Sequence, residues 1–151
     1  MVGPIVCCVD DSDGARHALA FARVLASRLA LELVLLHVEP GTEAPGVSAA
    51  PAGQERLRAE ELQDAESLLA RLADEAGLEP GVRRRAAIGN AAATIVAVCE
   101  EERASLVVLG SRGRGTLRSA MLGSVSSEVA AKAPCACVIV PPTAARQLSA
   151  D

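Results

Sequence analysis

Apolar residues in this chain occur in short continuous runs, separated by longer stretches in which apolar and polar positions recur at helical spacing. The runs have the length of strands buried on both faces, and they lie at residues 4–9, 31–38, 82–88, 106–109 and 136–140. The longer stretches predict helices at residues 13–29, 54–76, 91–103 and 125–132. Because strands and helices alternate, the pattern predicts a single three-layer α/β/α domain with a five-stranded parallel sheet.

Each of the first three helices is expected to turn one apolar stripe toward the sheet. The predicted stripes are Ala15, Ala18, Leu19, Ala22, Ala26 and Leu29 in the first helix, Leu62, Ala65, Leu69, Leu72 and Ala76 in the second, and Ala91, Thr94, Ile95, Val98 and Cys99 in the third.

Local signals mark the ends of several elements. Ser12 is a good N-cap for the first helix, and Gly77 is a suitable C-cap for the second.

Three arginines at 83–85 open the third strand, which indicates an edge strand with solvated charge; a basic binding patch is the alternative. Residues 39–53, rich in Pro, Gly and Ala, predict a mobile surface loop, and the tail at 143–151 is expected to fray.

Composition narrows the classes of protein. A length of 151 residues suits one domain over residues 1–151, and the absence of Trp and Tyr means that its core must be aliphatic. The net charge of -4 argues against a general nucleic-acid binder, and no apolar run reaches membrane-spanning length. The five cysteines form no Cys-x2-Cys pair, so a zinc site is not expected, and they suit reduced thiols in the cytoplasm.

A loop rich in glycine and arginine follows the fourth strand and leads into the last helix. Gly110, Gly113 and Gly123 would let the backbone approach an anion, and the first N–H groups of the helix at Ser124 have no internal partner. Arg112 adds a fork-shaped cationic donor. The loop is neither a Walker P-loop nor a Gly-x-Gly-x-x-Gly fingerprint. It therefore predicts a phosphate site of another type, with an ordinary strand–helix connection as the alternative.

The loop spacing, Gly-x2-Gly-x9-Gly-Ser, resembles the nucleotide-binding motif of the universal stress protein family in its ATP-binding branch. The same resemblance extends to Val-Asp-Asp-Ser at 9–12, Leu-Leu-His-Val at 35–38 and Ala-Pro-Cys at 133–135. It covers roughly residues 5–141. It implies the strand order 3-2-1-4-5 and an adenine nucleotide alpha hydrolase-like fold, with the order reversing between strands one and four.

The resemblance also implies ATP as ligand, with Mg2+ or Mn2+. The Asp10 carboxylate would accept hydrogen bonds from ribose hydroxyls or hold the metal. Val38 would offer main-chain hydrogen bonds to the adenine edge. The other expected contacts are backbone beside the ligand at Cys8 and Val9, phosphate-wrapping groups at Gly110, Arg112 and Gly113, and helix N–H groups and hydroxyls at Gly123, Ser124, Val125 and Ser126.

The favoured function is a regulatory stress-response module that holds ATP, with no catalytic residue assigned. The alternatives are a slow ATPase or adenylyl-transfer enzyme on the same scaffold, and a stress protein dimer that binds no nucleotide. A catalytic set of Ser12 with His17 or His37 is disfavoured because the chain has no Gly-x-Ser-x-Gly elbow. Two-metal chemistry at Asp10 and Asp11 is disfavoured because adjacent residues at a strand end point different ways.

Two further expectations come from the resemblance. It implies a homodimer through antiparallel pairing of strand five, and an exposed apolar edge at Val138 to Val140 favours such pairing. The chain also departs from the family, since Ser105 stands where Asp is usual before the fourth strand and Ala136 stands where Pro is common.

Overall fold

A computed structural model of the chain describes residues 2–41, 51–111 and 122–144. Its strands are β1 (Ile5–Cys8), β2 (Leu33–Glu39), β3 (Arg83–Ile88), β4 (Leu106–Gly110) and β5 (Ala136–Val140). Its helices are α1 (Asp13–Leu29), α2 (Pro51–Glu75), α3 (Ala91–Glu101) and α4 (Ser124–Lys132), followed by a 3-10 turn at Pro142–Ala144. No helix within these ranges is long and apolar enough to cross a membrane.

The five strands form one parallel sheet in the order β3-β2-β1-β4-β5. β1 lies at the centre, where Ile5 pairs with Leu33 of β2 on one side and with Leu106 of β4 on the other. The chain builds outward from β1 to β3, then returns to β4 and β5. The predicted order is therefore confirmed, and it reverses between β1 and β4, where such sheets form a ligand-binding crevice.

Each face of the sheet buries an aliphatic core. The first core contains side chains of α1 and α2, such as Leu19 and Leu69. The second contains side chains of α3 and α4, such as Ile95 and Val129. Helices thus cover both faces, which confirms the three-layer α/β/α architecture.

Helix α1 follows its predicted stripe except at the end. The Ser12 hydroxyl accepts a hydrogen bond of 3.1 Å from the Ala15 N–H, as expected of an N-cap. Leu29 was expected to face the core, but it is 50% exposed. The helix stops there because Ala30 adopts a left-handed conformation (φ 54°), and Leu31 then packs against the core in its place.

Helix α2 begins at Pro51, three residues before the predicted start at residue 54. Proline suits a first turn, where its missing N–H would have had no partner. Burial begins only at Ala65, and Leu62, expected inward, is 36% exposed because the helix meets the core only from Ala65 onward. Gly77, with φ 63°, follows the helix end as predicted.

The predicted loop at 39–53 is shorter than expected. Glu39 is the last residue of β2, and the first turn of α2 takes up residues 51–53. Residues 42–50 lie outside the described part of the chain. The predicted frayed tail begins inside the 3-10 turn, and residues 145–151 are likewise outside it.

β3 is an edge strand, as its arginines predict. Arg83 and Arg85 hydrogen-bond the Glu102 carboxylate at 2.9 and 3.0 Å, and Arg85 also contacts Glu101 at 2.7 Å. Burial alone would raise the pKa of Glu102, but the hydrogen bonds from the two arginines lower it below its usual value. The charges of Arg83 and Arg85 are balanced by these glutamates, which favours a structural role for these two arginines over a binding patch.

Candidate functional site

Asp10 lies directly beyond β1, between the carboxyl ends of β2 and β4. One oxygen of its half-buried carboxylate accepts a hydrogen bond from the Ser12 hydroxyl. Ser12 is in turn the N-cap of α1. The start of the helix therefore orients the carboxylate at the crevice.

The neighbouring Asp11 carboxylate is turned toward α1 and α2. It pairs with Arg16 at 2.8 Å and with Arg71 at 3.0 Å, and the hydrogen bond from Arg16 is the main cause that lowers the pKa of Asp11. The two acids point different ways, as predicted. Among the described residues, no group of three or more His, Cys, Asp or Glu side chains could hold a metal ion.

Both backbone groups of Val9 are already engaged with β2. Its N–H donates to the Leu36 carbonyl at 2.9 Å, and its carbonyl lies 2.7 Å from Nδ1 of the buried His37. The other ring nitrogen of His37 lies 2.8 Å from the Glu39 carboxylate. The backbone of Val9, which was expected to lie beside the ligand, is therefore hydrogen-bonded within the protein, through Leu36 at its N–H and through His37 at its carbonyl.

The backbone N–H and C=O of Val38 have no partner on β1, because β1 ends at Cys8 and His37 takes up the Val9 carbonyl. In a parallel strand, alternate residues direct their N–H and C=O groups to opposite neighbours. Leu36 bonds toward β1 and Glu39 toward the β3 side, so Val38 faces β1. β1 ends at Cys8, opposite Leu36. Val38 therefore directs both backbone groups into the crevice, and no described residue bonds them.

Gly110 ends β4 where α1 comes very close. A Cβ at Gly110 would lie 3.0 Å from the Gly14 carbonyl oxygen and 3.1 Å from its carbon. The neighbouring atoms are backbone, so they cannot turn aside as a flexible side chain would. A side chain at Gly110 would thus crowd the packing of α1 against β4.

The residues at the two ends of the connection between β4 and α4, Ser111 and Gly123, are hydrogen-bonded to each other. The Gly123 N–H donates to the Ser111 carbonyl at 2.8 Å, and the Ser111 N–H donates to the Val140 carbonyl at 3.2 Å. The buried Ser126 hydroxyl donates to the carbonyls of Gly123 and Ser111, at 3.0 and 3.3 Å. Because the hydroxyl proton is used in these bonds, only the backbone N–H of Ser126 could donate to a ligand.

The N-terminus of α4 has no side-chain cap. Its N-cap is Gly123, whereas α1 and α3 are capped by the side chains of Ser12 and Asn90. The first N–H groups of a helix have no partner within the helix. Those of Ser124 and Val125 lie at an exposed surface. They form a partial positive charge that attracts anions.

Two predicted contacts, Arg112 and Gly113, lie outside the described residues, as do the other positions from 114 to 121. The structure brings the remaining predicted residues to one edge of the sheet. They are Cys8, Val9, Asp10, Val38, Gly110, Gly123, Ser124, Val125 and Ser126.

The histidines and Ser12 do not form a catalytic set. The Ser12 hydroxyl bonds Asp10 and caps α1, while both ring nitrogens of His37 have other partners. His17 lies on α1, and its Nδ1 is buried without a partner among the described residues.

Sequence reasoning missed His37 as a residue that engages the backbone beyond β1. His37 could have been noticed because a glutamate stands two positions later, on the same face of the strand.

The geometry is that of an α/β protein whose strand order reverses between β1 and β4, the place where sheets of this kind usually bind their ligands. A sequence profile of the universal stress protein family matches residues 1–141. A universal stress protein of Thermus aquaticus is 35% identical over 144 residues, covering 93% of this chain and 99% of the relative. The chain belongs to the universal stress protein family.

Solved structures agree on the fold. Universal stress protein UspA from Lactobacillus plantarum has a TM-score of 0.77 at 24% identity, over 91% of this chain and 97% of that one. A universal stress protein in complex with cAMP has a TM-score of 0.60 at 22% identity, over 91% and 96% of the two chains.

Proposed function

We propose that this chain is an ATP-binding universal stress protein that acts as a nucleotide-dependent regulatory module. The observation that carries the proposal is a pair of open backbone sites that flank Asp10, one at Val38 and one at the start of α4. Both lie at the carboxyl edge of the sheet, one on each side of β1, next to which the strand order reverses. A nucleotide has the matching chemistry, because it carries a hydrogen-bonding base at one end and an anion at the other.

At the base end, Val38 is suited to adenine. Its N–H and C=O point the same way, so they can pair with the N1 acceptor and the amino donor on one edge of the base. His37 occupies the Val9 carbonyl, so this carbonyl does not compete for the base. The solved universal stress protein that carries cAMP supports an adenine nucleotide as the class of ligand.

At the phosphate end, the open N-terminus of α4 is suited to an anion. A side-chain oxygen at the N-cap would bond the same N–H groups that a phosphate needs, and Gly123 supplies none. The helix dipole adds to the attraction. Arg112 and Gly113 are proposed to complete the phosphate contacts.

Asp10 lies between these two ends and is suited to ribose hydroxyls or to Mg2+ or Mn2+. Because the described residues hold no cluster of three metal ligands, the cation would enter with the nucleotide, whose phosphates supply the missing oxygens. We therefore expect the metal alone to bind weakly.

Binding without efficient turnover is the proposed role. Phosphoryl transfer requires a positioned base, and His37 and Ser12 are both engaged in holding the fold. The five free cysteines suit a reducing compartment, which supports a cytoplasmic location.

Calorimetric titration with ATP and Mg2+ tests the proposal. Val38→Pro removes the N–H that faces the crevice but no bond to β3, so ATP binding should fall by on the order of tenfold, the effect of about 1.4 kcal/mol. Val38→Ala keeps the N–H and should bind like the wild type. If the wild type does not bind ATP at millimolar concentration, or binds GTP equally well, the proposal is wrong.

A further inference from the structure

His37 is a buried side chain whose two ring nitrogens both face oxygen atoms that accept hydrogen bonds. Nδ1 lies 2.7 Å from the Val9 carbonyl oxygen, and Nε2 lies 2.8 Å from a carboxylate oxygen of Glu39. The side chain of His37 is 7% exposed and that of Glu39 is 32% exposed. Both distances are those of hydrogen bonds, so each contact needs a proton between its two atoms.

The two contacts together require one proton more than a neutral histidine carries. A carbonyl oxygen only accepts, so Nδ1 must donate to Val9, and an ionised carboxylate only accepts, so Nε2 must donate to Glu39. A neutral imidazole has a single N–H, and its other nitrogen would point a lone pair at an oxygen. The additional proton belongs to the ring, because a carboxylic acid releases its proton at lower pH than an imidazolium ion does.

Other charged groups surround this pair near the carboxyl edge of the sheet. His37 and Glu39 follow Leu35 at alternate positions of β2, so they lie on the face that α1 and α2 cover. Asp11 is already paired with arginines of both helices. Glu39 is in direct contact with His37, so its negative charge stabilises the second ring proton. The charged groups that the neighbouring elements carry here are Asp10, Asp11, Arg16, Glu61, Arg71 and Arg84.

We propose that His37 is an imidazolium ion that positions the nucleotide site, and that nucleotide affinity falls when the ring loses one proton. The second half of this inference rests on the proposed function. The Val9 carbonyl belongs to the peptide group that joins Val9 to Asp10, so His37 fixes the backbone that carries the Asp10 carboxylate. His37 is therefore a positioning residue, which acts through Val9 and Asp10 without touching the ligand.

The direction of the pH dependence follows from the two contacts. After the loss of either ring proton, one nitrogen faces an oxygen lone pair against lone pair, at 2.7 or 2.8 Å. The ring must then move, and the hold on the Val9 carbonyl weakens. A histidine that is stabilised in its charged form contributes this stabilisation at low pH and loses it as the pH rises. Nucleotide affinity should therefore fall with rising pH.

The protonation of the ring is tested without nucleotide. Nitrogen NMR of the full chain, labelled at histidine, distinguishes a doubly protonated ring from each neutral tautomer. The chain has two histidines, and His17→Gln assigns their signals. At neutral pH, His37 should carry protons on both nitrogens. In Glu39→Gln the ring should be neutral with its proton on Nδ1, because an amide NH2 can donate to Nε2.

Circular dichroism checks that each variant is folded. A neutral His37 ring in the wild type at neutral pH overturns the proposal. A ring that stays doubly protonated in folded Glu39→Gln also overturns it, because the carboxylate would then not be what holds the second proton.

The coupling to binding is tested by calorimetric titration with ATP and Mg2+ from about pH 6 to about pH 9, which brackets the titration of a histidine with a carboxylate partner. The wild type and His17→Gln should lose affinity by on the order of tenfold across this range, the effect of one hydrogen bond. His37→Gln should bind more weakly at the lower pH and show no such fall, because an amide does not titrate. Comparison at each pH cancels the titration of the nucleotide itself.

The outcomes separate this inference from the proposed function. Parallel pH profiles for the wild type and His37→Gln overturn the coupling while leaving ATP binding in place. A wild type that binds no ATP at any pH overturns the proposed function and the coupling with it, and the NMR result still decides whether His37 is charged.

Discussion

Gly3 stands where the backbone before β4 comes too close for a side chain. A Cβ at Gly3 would lie 1.8 Å from the carbonyl oxygen of Arg103, a residue that itself has a positive φ of 50°. Ser105 holds this crossing together, because its hydroxyl donates to the Gly3 carbonyl at 2.6 Å and its N–H to the Pro4 carbonyl at 2.9 Å. The serine that departs from the family pattern thus has a structural role here.

Gly3→Ala should lower the free energy of unfolding by about 1–3 kcal/mol, the range for forcing extra atoms into a packed region. Urea denaturation followed by circular dichroism measures it. Gly53→Ala is the matched control, because nothing lies within 4 Å of a Cβ at that position. The control should change stability by no more than about 1 kcal/mol, in the stabilising direction. Equal midpoints for Gly3→Ala and the wild type would contradict the close contact.

Asp10 and Asp11 differ in their contacts although they are adjacent and both acidic. Asp10→Asn can still accept from Ser12 but loses the negative charge, so ATP affinity in the presence of Mg2+ should fall by on the order of tenfold to a hundredfold, the equivalent of about 1–3 kcal/mol. Asp11→Asn is the control, since its carboxylate pairs with Arg16 and Arg71 instead. Calorimetric titration compares them, and equal losses in the two variants would remove Asp10 from the site.

At the scale of the element, we expect a side-chain cap at the start of α4 to raise stability and to weaken the proposed ATP binding. Gly123 leaves the first N–H groups of the helix without a side-chain partner. Gly123→Asp should cap the helix and raise stability by a few tenths of a kcal/mol. The same carboxylate should exclude a phosphate by occupying its donors and repelling its charge.

ATP affinity should therefore fall in Gly123→Asp by more than in Gly123→Ala, for which we expect on the order of tenfold to a hundredfold from a methyl group near the phosphate. Thermal unfolding and calorimetric titration of the same preparations separate the two effects. An aspartate variant that is more stable and still binds ATP like the wild type would show that the phosphate lies elsewhere.

For the whole molecule, the sequence predicted the elements well because hydrophobic periodicity is local. The central strand positions and the caps at Ser12 and Gly77 depend only on neighbours in the chain. The strand order could not come from periodicity, and the family resemblance supplied it. The predictions that Leu29 and Leu62 are buried were wrong, because burial depends on where each helix begins and stops contacting the core. No local pattern in the sequence contains that information.

The sequence indicated which residues belong to the candidate site, but not which of their backbone groups lack a hydrogen-bond partner. That Val38 is open depends on β1 ending at Cys8 and on His37 bonding Val9, and both are facts of tertiary structure. In the same way, the tight fit around Gly110 depends on the approach of the Gly14 backbone from another element. Contacts of this kind join residues far apart in the chain, so spacing alone does not reveal them.

β5 has one edge that no described strand covers. We propose that the protein is a homodimer through antiparallel pairing of this strand. β5 is the last strand of the sheet, next to β4 only. The Val140 carbonyl accepts from Ser111 on the β4 side, so alternate residues, Ile139 among them, direct their backbone groups outward. An outward row of unpaired N–H and C=O groups is a template for another strand.

Ile139→Pro tests this pairing, because it removes an N–H that faces outward and leaves the ladder to β4 intact. We expect a dimer for the wild type and a folded monomer for Ile139→Pro, measured by light scattering at micromolar concentration with circular dichroism as the check on folding. Val138→Pro is the contrasting variant, since its N–H faces β4 and its loss should destabilise the fold itself. A monomeric wild type, or an Ile139→Pro variant that remains fully dimeric, would rule out assembly through this edge.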